Sequence, residues 1–370
     1  MSVRDLADYP WDAVTPYRER AARHPRGIVD LSIGSPVDPT PDVIRLALTE
    51  ATDAHAYPQT VGTADLREAI VDWYARRRGV PDLAVANALP TIGSKELVAL
   101  LPTLLGLGEG DVVVHPRVAY PTYEVGARVV GATPLPADDP AEWPESTKLI
   151  WINSPGNPDG RTWSVEELAA AVKRAREIGA VLASDECYAE LGWDGRWANE
   201  PVPSVLDPRV TDGSRANLLS VYSLSKQSNL AGYRAAFIAG CAQIVGDLLT
   251  ARKHLGLMPP APVQHAMAAA LRDDDHVAAQ KELYRERRAL LKPAVEAAGF
   301  RIDGSEAGLY LWATENRDAW DSMQRLAELG ILAGPGPFYG AHSGEHVRLS
   351  LTAPTERVDE AARRLHGEKL

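Results

Sequence analysis

Four residues whose side chains could act on a phosphorylated carbonyl compound fall close together late in the sequence. Ser223, Ser225, Lys226 and Arg234 lie within twelve residues. A lysine amine forms an imine with a carbonyl, and hydroxyl and guanidinium groups beside it would hold a phosphate. The same spacing is also explained by a solvated basic loop with capping serines. The segment alone therefore leaves both interpretations open.

Polar residues follow two apolar runs upstream. Asp185 and Tyr188 come directly after 180–184, and Asn157 comes shortly after 148–152. At the end of a buried strand, Asp185 could pair with a protonated ring nitrogen, with Tyr188 reaching a neighbouring oxygen. A helix N-cap aspartate with a half-buried tyrosine, and a plain connecting turn around Asn157, are the structural alternatives.

Two further segments could contact the same ligand. Gly93, Ser94 and Lys95 precede an apolar helical run, which would place backbone N–H groups at a helix N-terminus that suits phosphate. Tyr120 follows the apolar run 111–115 and could stack on a planar ring. An ordinary capping turn and core packing are the respective alternatives.

The elements that must position these residues alternate along the chain. The runs 111–115, 148–152 and 180–184 have the composition of strands buried on both faces. Between the last two, Ser164 and Glu167 form a capping-box signature for a helix that ends near Gly179. Alternating strands and helices predict an α/β fold with a mostly parallel sheet flanked by helices.

A second, smaller α+β domain is predicted beyond the sheet. The pattern changes after about residue 265 to a long charged helix over 275–298, followed by strand-like runs 308–312 and 346–351. We expect a large domain over 36–265. The small domain would combine residues 1–35 with 266–370.

Composition narrows the classes of function. The net charge of −11 disfavours a general nucleic-acid or acidic-membrane binder, because this surface would repel both. Cys187 and Cys241 are the only cysteines in the sequence, which excludes a four-cysteine metal site and suits a reducing cytoplasm. Residues 1–11 lack the apolar core of a signal peptide, and the apolar run 97–107 is interrupted by Pro102 and Gly106. We therefore expect a cytoplasmic protein without a membrane span.

Taken together and in this order, the segments resemble the class I/II aminotransferases of fold type I along almost the whole chain. The resemblance implies pyridoxal 5′-phosphate as cofactor, with Lys226 forming the imine and later moving the proton. It implies that Asp185 pairs with the pyridine nitrogen, that Asn157 and Tyr188 hydrogen-bond the phenolic oxygen and that Tyr120 stacks on the ring. The residues it places around the phosphate are Gly93, Ser94, Lys95, Ser223, Ser225 and Arg234.

The resemblance also implies a substrate clamp and a dimer. Arg348 matches the arginine that binds the α-carboxylate of an amino acid or keto acid, and Gly34 lies in the segment that closes over it. Without the other motifs, Arg348 would be a surface strand arginine. Tyr57 matches the tyrosine that reaches the phosphate of the partner subunit. We expect a homodimer with shared active sites.

Substrate specificity follows from a narrower resemblance. The runs 30–39, 92–97, 119–127 and 252–258 are similar to actinobacterial succinyldiaminopimelate transaminases, which transfer an amino group from glutamate to N-succinyl-2-amino-6-oxopimelate in lysine biosynthesis. Other possibilities are aspartate or aromatic aminotransferases, a β-eliminating lyase or a non-catalytic relative. Candidate cations for the distal carboxylates are Arg18, Arg252, Lys253 and His254.

Two departures and one possible metal motif remain. The family usually has an aromatic residue where this chain has Ser228 and Asn229, and a glycine where it has Ala236. These changes put the fit of the substrate in doubt. His342 and His346 have the i, i+4 spacing of helical metal ligands, but the glycines around them disfavour a helix, so we predict no metal site.

Overall fold

The structure, a computed structural model, describes residues 10–367. Residues 1–9 lie outside this range. They include the start of the predicted N-terminal arm and most of the segment for which no signal peptide was expected. The helices are α1 Thr15–Ala22, α2 Asp42–Glu50, α3 Ala64–Arg78, α4 Ser94–Leu104, α5 Thr122–Val129, α6 Val165–Glu177, α7 Pro208–Thr211, α8 Leu224–Gln227, α9 Ala242–Leu255, α10 Ala261–Arg272, α11 Asp275–Ala297, α12 Ala319–Glu328 and α13 Thr355–Leu365. The strands are β1 Val29–Asp30, β2 Ala88–Ile92, β3 Val112–His115, β4 Thr133–Pro136, β5 Thr147–Asn153, β6 Val181–Asp185, β7 Leu218–Ser223, β8 Ala235–Gly240, β9 Arg301–Ile302, β10 Tyr310–Thr314, β11 Ile331–Leu332, β12 Gly334–Pro335 and β13 His346–Ser350.

Seven strands form the central sheet in the order β2-β8-β7-β6-β5-β3-β4. The pairs from β7 to β4 are parallel, whereas β8 runs antiparallel to both of its neighbours. The central strands are almost wholly buried, as their continuous apolar runs predict. The predicted mostly parallel sheet is therefore confirmed.

Helix α6 shows how the local sequence sets these elements. The Ser164 side chain accepts from the N–H of Glu167, and the Glu167 carboxylate accepts from the N–H of Ser164. This capping box supplies acceptors for N–H groups that a helix start leaves unpaired. One apolar face of the helix then packs on the sheet through Leu168, Ala171 and Val172.

The last third of the chain forms a smaller antiparallel sheet with helices packed beside it. Strands β12, β13, β10 and β9 form an antiparallel sheet in that order. Helices α11 and α13 pack against each other beside it, and β1 pairs in parallel with β11. The predicted helix over 275–298 and the two predicted strands are confirmed, each within two residues at either end.

Hydrophobic side chains gather in separate clusters that match these layers. Two clusters cover the two faces of the central sheet, and a third joins residues 14–31 and residues from 284 onward to Cys187, Tyr188 and Leu191. Helix α10 packs on α2 and α3, and its residues from Val263 to Leu271 lie in the large core. We therefore propose that the large domain extends through Arg272, rather than ending at residue 265.

None of the helices within residues 10–367 is long and apolar enough to cross a membrane.

Candidate active site

The predicted polar residues gather where β5, β6 and β7 end. Asn153 at the end of β5 is paired in register with Asp185 at the end of β6, and Ser223 ends β7. Carboxyl ends of parallel strands share one edge of a sheet, and open α/β sheets bind ligands at this edge. The structure thus brings the segments of Asn157, Asp185 and Lys226 together, although 73 residues separate Asn153 from Lys226 in the sequence.

Asp185 is 7% exposed and has two hydrogen-bond donors from the protein. Its Oδ2 accepts from the Tyr123 hydroxyl at 2.9 Å, and its Oδ1 accepts from the N–H of Cys187 at 3.2 Å. Burial raises the pKa of the Asp185 carboxyl, and the donated hydrogen bonds counteract part of that rise. A buried carboxylate of this kind would favour a cationic partner such as a protonated ring nitrogen.

Tyr123 is a site residue that the sequence did not reveal. Its ring stacks on Trp151 with centroids 5.0 Å apart, and the side chain is fully buried. Tyr120 precedes α5 by two residues, and its ring meets that of Tyr123 edge to face with centroids 5.8 Å apart. The three-residue spacing of the two tyrosines was the available signal, but the hydroxyl partner of Tyr123 lies 62 residues away.

Lys226 lies in the short helix α8, which Ser223 caps by accepting from the N–H of Ser225. The Lys226 ammonium donates a hydrogen bond to the carbonyl oxygen of Gly34, in the segment expected to close over the substrate. Burial lowers the pKa of Lys226, and the positive charge of Arg348 adds to the effect. The lower pKa increases the fraction of neutral amine near pH 7.

The predicted phosphate-binding residues meet at the start of α4. Gly93 is the N-cap with φ of +74°, and a Cβ atom there would lie 2.2 Å from Nη2 of Arg234. The positive φ favours glycine at this position, and the Arg234 guanidinium packs directly against it. Arg234 is exposed and has no ion-pair partner among residues 10–367, so its charge remains available for an anion.

The remaining candidates for the phosphate site lie after β7 and at the start of α4. Ser223 donates its hydroxyl to that of Ser225 at 2.9 Å. The Lys95 ammonium lies 5.9 Å from the centroid of the Tyr120 ring, which connects the α4 terminus to the predicted stacking residue. The structure places all four of these side chains near the ends of the same sheet strands or at the start of α4 and α5.

Arg348 is buried in β13 and faces the pocket side of the small sheet. Its Nη1 donates to Asn157 Oδ1 at 2.9 Å, and its Nη2 donates to the carbonyl oxygen of Ser32 at 2.7 Å. Its Nε is buried without a hydrogen-bond partner within the described chain. Arg348 is therefore not the surface arginine of the alternative interpretation. It joins Asn157 from the large domain to the segment that contains Gly34.

Two aromatic rings flank the Arg348 guanidinium. Its Cζ lies 4.0 Å from the ring centroid of Tyr310 and 5.0 Å from that of Tyr339. Tyr310 also hydrogen-bonds with Tyr188, with 3.2 Å between their hydroxyl oxygens. Sequence reasoning assigned 308–312 only to a strand, because the register that sets Trp312 opposite Arg348 cannot be read from either strand alone.

Tyr57 is not part of this group. Its side chain is 99% exposed in the single chain. The role in a partner subunit that the resemblance implies is compatible with this exposure, but it stays a prediction.

Three residues have side-chain surroundings that the sequence did not predict. Arg252 is fully buried, and its guanidinium binds the Glu96 carboxylate at 2.9 and 3.1 Å, so it is neither a surface charge nor free to bind substrate. Ser228 and Asn229 face α11 rather than the pocket, bonding to His276 and Gln280 at 2.8 Å each. These hydrogen bonds favour a packing role against α11, and the expectation that the two residues alter the substrate fit stays a prediction.

The histidines of the possible metal motif are used elsewhere. His342 lies in a short 3-10 turn, whereas His346 begins β13, so the two do not share a helix. The His346 ring stacks on Trp312 at 4.8 Å, and its Nε2 hydrogen-bonds to Asp303 at 2.9 Å.

Comparison with known proteins gives a consistent result. The sequence profile of the family described as aminotransferase class I and II matches residues 26–365. The 4-dedimethylamino-4-oxo-anhydrotetracycline transaminase OxyQ of Streptomyces rimosus is 52% identical, over 98% of this chain and 100% of that protein. The probable aminotransferase Rv1178 of Mycobacterium tuberculosis is 53% identical, over 97% of this chain and 85% of that protein.

More distant relatives agree. An LL-diaminopimelate aminotransferase of Aquifex aeolicus is 34% identical, over 93% of this chain and 92% of that protein. A crystal structure of an aminotransferase from Neisseria meningitidis superposes with a TM-score of 0.90 at 29% identity, covering 98% of both chains. The predicted fold type is confirmed by these comparisons.

Proposed function

The chain belongs to the class I and II aminotransferase family, and from that premise we propose that it transfers an amino group from glutamate to N-succinyl-2-amino-6-oxopimelate. The family depends on pyridoxal phosphate, so the chain is a pyridoxal-phosphate-dependent transaminase. We propose below which residues hold the cofactor and the substrate, and which keto compound accepts the amino group.

The observation that carries the substrate class is the state of Arg348. Its guanidinium is buried, lies between two aromatic rings and keeps an unpartnered Nε. A buried arginine without a carboxylate partner is costly unless an anion binds to it. Planar guanidinium geometry suits a carboxylate better than an ammonium does. We infer that Arg348 binds the α-carboxylate of the amino acid and the keto acid.

The surrounding residues fit the cofactor. Asp185 provides a buried carboxylate for the ring nitrogen, and Tyr120 and Tyr188 provide aromatic and hydroxyl groups nearby. The α4 N-terminus, together with Arg234 against Gly93, forms a cationic cradle with N–H donors that suits a phosphate. When bound there, pyridoxal phosphate supplies an electron sink for the charge left on the substrate Cα.

The proton steps follow from Lys226. We infer that the Lys226 amine would hold the cofactor through its carbonyl carbon and, once released, would serve as the base that takes the proton from the substrate Cα. Burial lowers the pKa of Lys226 and so increases the fraction of neutral amine, the form that general base catalysis requires. The Lys226 side chain donates to the Gly34 carbonyl oxygen, which places it close to the segment expected to close over the substrate.

The acceptor proposal is supported by the resemblance in 30–39, 92–97, 119–127 and 252–258. With Arg252 occupied by Glu96, the remaining candidates for the distal carboxylates are Arg18, Lys253 and His254. Arg18 already pairs with Asp30 at 2.8 Å, although both side chains are partly exposed. Lys253 and His254 lie exposed in the last turn of α9.

A second acceptor class is favoured by a specific observation. OxyQ is 52% identical over its whole length, and its name describes a 4-oxo-anhydrotetracycline as the compound it acts on. We therefore keep amino transfer to a cyclic ketone as the alternative. LL-diaminopimelate, aspartate and aromatic donors, and β-elimination on the same scaffold, are the further possibilities that the experiment must separate.

Half-reactions of the purified holoenzyme distinguish these possibilities. Glutamate should convert the bound cofactor to its aminated form, and the succinylated oxo acid should restore the original visible spectrum. Restoration by the 4-oxo-anhydrotetracycline but not by the oxo acid would establish the alternative. Pyruvate release from cysteine without any keto acid would favour the lyase, and no change with glutamate would contradict the donor.

A further inference from the structure

Tyr310 has no role in the function proposed above, yet it touches several of the residues that carry it. It begins β10 in the small sheet and is 4% exposed. Its hydroxyl lies 3.2 Å from that of Tyr188, which belongs to the turn after β6 in the large domain. The rings of the two tyrosines meet edge to face at 5.8 Å.

The Tyr310 hydroxyl also lies against the segment expected to close over the substrate. A Cβ atom built on Gly34 would lie 2.1 Å from this hydroxyl oxygen, so no side chain fits at position 34. The carbonyl oxygen of the same Gly34 accepts the hydrogen bond from the Lys226 ammonium. One phenol therefore contacts both Tyr188 and the backbone that holds Lys226.

The Tyr310 ring supports the carboxylate-binding group. The Arg348 Cζ lies 4.0 Å from its centroid, and the Tyr339 ring lies 5.0 Å away on another side. A cation over an aromatic face in a desolvated site is attracted to the ring. Tyr310 and Arg348 lie diagonally across β10 and β13, because Trp312 pairs with Arg348 and Tyr310 with Ser350. The ring thus limits the orientations that the guanidinium can adopt.

Charges favour one direction for the hydrogen bond between the two phenols. Burial would raise the pKa of Tyr310, but the nearby positive charges of Arg348 and Lys226 lower it overall. Burial raises the pKa of Tyr188, which lies next to the same tyrosine. Tyr188 has one hydroxyl proton, which the proposed function uses for the phenolic oxygen of the cofactor, so Tyr310, the more acidic phenol, donates and Tyr188 accepts.

We propose that Tyr310 is a positioning residue with two separable parts, which rests on the cofactor and substrate sites of the proposed function. Its ring fixes Arg348 for the substrate carboxylate. Its hydroxyl donates to that of Tyr188 and thereby strengthens the hydrogen bond that Tyr188 donates to the phenolic oxygen of the cofactor. A single side chain then connects the carboxylate end of the pocket to the reacting end.

Two substitutions in the holoenzyme separate these parts. Tyr310→Phe keeps the ring and removes the hydroxyl, whereas Tyr310→Leu removes both. The first readout is the pH titration of the visible absorbance of the bound cofactor, which needs no substrate. The second is the affinity for 2-oxoglutarate, which carries an α-carboxylate and cannot accept an amino group from the unaminated cofactor.

In Tyr310→Phe, Tyr188 loses the hydrogen bond donated to it and donates less strongly to the phenolic oxygen, so we expect the titration midpoint to rise by about half a pH unit or more. The affinity for 2-oxoglutarate should stay within about twofold, because the ring remains. In Tyr310→Leu, the affinity should weaken by about fivefold or more, since the cation–π contact is lost. If Tyr310→Leu does not fold, Tyr310→Met replaces it as a ring-free variant of similar volume.

Tyr74→Phe provides the matched control, because its buried hydroxyl donates to Ser220 at 2.8 Å in the large core. It should change neither readout. An unchanged midpoint in Tyr310→Phe, or equal affinities in the Phe and ring-free variants, would overturn the proposal. A wild-type protein whose absorbance titrates but which neither binds 2-oxoglutarate nor reacts with glutamate would instead contradict the proposed substrate class.

Discussion

At the scale of single residues, the surroundings of Asp185 show how a buried carboxylate is kept ready for a cation. Burial raises its pKa, while Tyr123 and the N–H of Cys187 donate hydrogen bonds that favour the ionised form. Stacking on Trp151 holds the Tyr123 ring in place. Tyr123 thus acts on the charge of Asp185.

The change Tyr123→Phe should test that role. Phenylalanine keeps the stack on Trp151 but removes the donor, so the pKa of Asp185 should rise further and the acid limb of the kcat profile should move to higher pH. We expect kcat to fall about tenfold, since a hydrogen bond to a charged group contributes about 1.5 kcal/mol or more. A pH–rate series compares the variant with wild type. An acid limb that stays in place would show that Tyr123 only packs.

Arg348 gives a second prediction at this scale. Arg348→Lys keeps the positive charge but loses the planar fork that reaches Asn157 and the Ser32 carbonyl. We expect KM for glutamate to rise at least about tenfold, because one or more charge-assisted hydrogen bonds are lost. The cofactor absorbance should be retained. Steady-state kinetics with a spectrum of the same preparation provide the check, and an unchanged KM would remove Arg348 from the carboxylate site.

At the scale of elements, helix α11 fastens the loop that follows Lys226. The Tyr284 hydroxyl donates to the carbonyl oxygen of Lys226 at 3.0 Å. One turn earlier along α11, Gln280 bonds to Asn229, and one turn before that, His276 bonds to Ser228. Ser228 and Asn229 occupy the positions where the family usually has an aromatic side chain. Their hydrogen bonds to α11 connect the large domain to the small domain.

The substitution Ser228→Ala should therefore affect stability rather than specificity. It removes a buried hydrogen bond to His276, so we expect the free energy of unfolding to fall by about 1 kcal/mol. KM for glutamate and for the acceptor should not change. Denaturant unfolding and steady-state kinetics measure the two effects. A shift in KM with no loss of stability would restore the interpretation in which this position shapes the pocket.

The turn that carries Asn157 contains a titrating group. Asp159 accepts from the N–H of Arg161 at 3.2 Å, and burial raises the pKa of its carboxyl to about 6. Because the pKa of Asp159 is higher in the folded protein than in the unfolded chain, folding favours the protonated carboxyl. Its contribution to the free energy of unfolding is fully present below pH 3.8 and is lost as the pH rises through about 6.

Asp159→Asn should escape that loss, because the amide keeps the acceptor oxygen without the charge. The free energy of unfolding of the variant, relative to wild type, should increase by up to about 3 kcal/mol between pH 4 and pH 7 and then stay constant. Thermal unfolding of both proteins at several pH values measures the difference. A constant difference across the range would indicate that Asp159 is already neutral or already well solvated.

At the scale of the whole molecule, the sequence predicted what depends on local pattern. Continuous apolar runs and the capping box at Ser164 identified the strands and helices, and the order of motifs identified the family. Contacts between distant segments could not be predicted, since they depend on register and domain packing. Glu96 with Arg252, Tyr123 with Asp185 and Tyr310 with Arg348 all belong to this group.

Assembly provides the test at this scale. We propose that Tyr57, almost wholly exposed in one chain, completes the phosphate site of a partner subunit. A Lys226→Ala chain and a Tyr57→Ala chain should each have low activity alone. Co-expressed, they should recover about a quarter of the wild-type activity, because half of randomly mixed dimers are hybrids with one intact site. Recovery no greater than the sum of the separate variants would contradict a shared site.

The pairing of β1 with β11 has a consequence for synthesis of the chain. Val29–Asp30 find their partner strand only in Ile331–Leu332, about 300 residues later. At a translation rate of about 5–20 residues per second, the first strand waits for roughly 15 to 60 seconds before its partner is made. The central sheet, whose strands end at residue 240, can be complete during that interval. The small domain, with Arg348, can therefore be completed only after the central sheet.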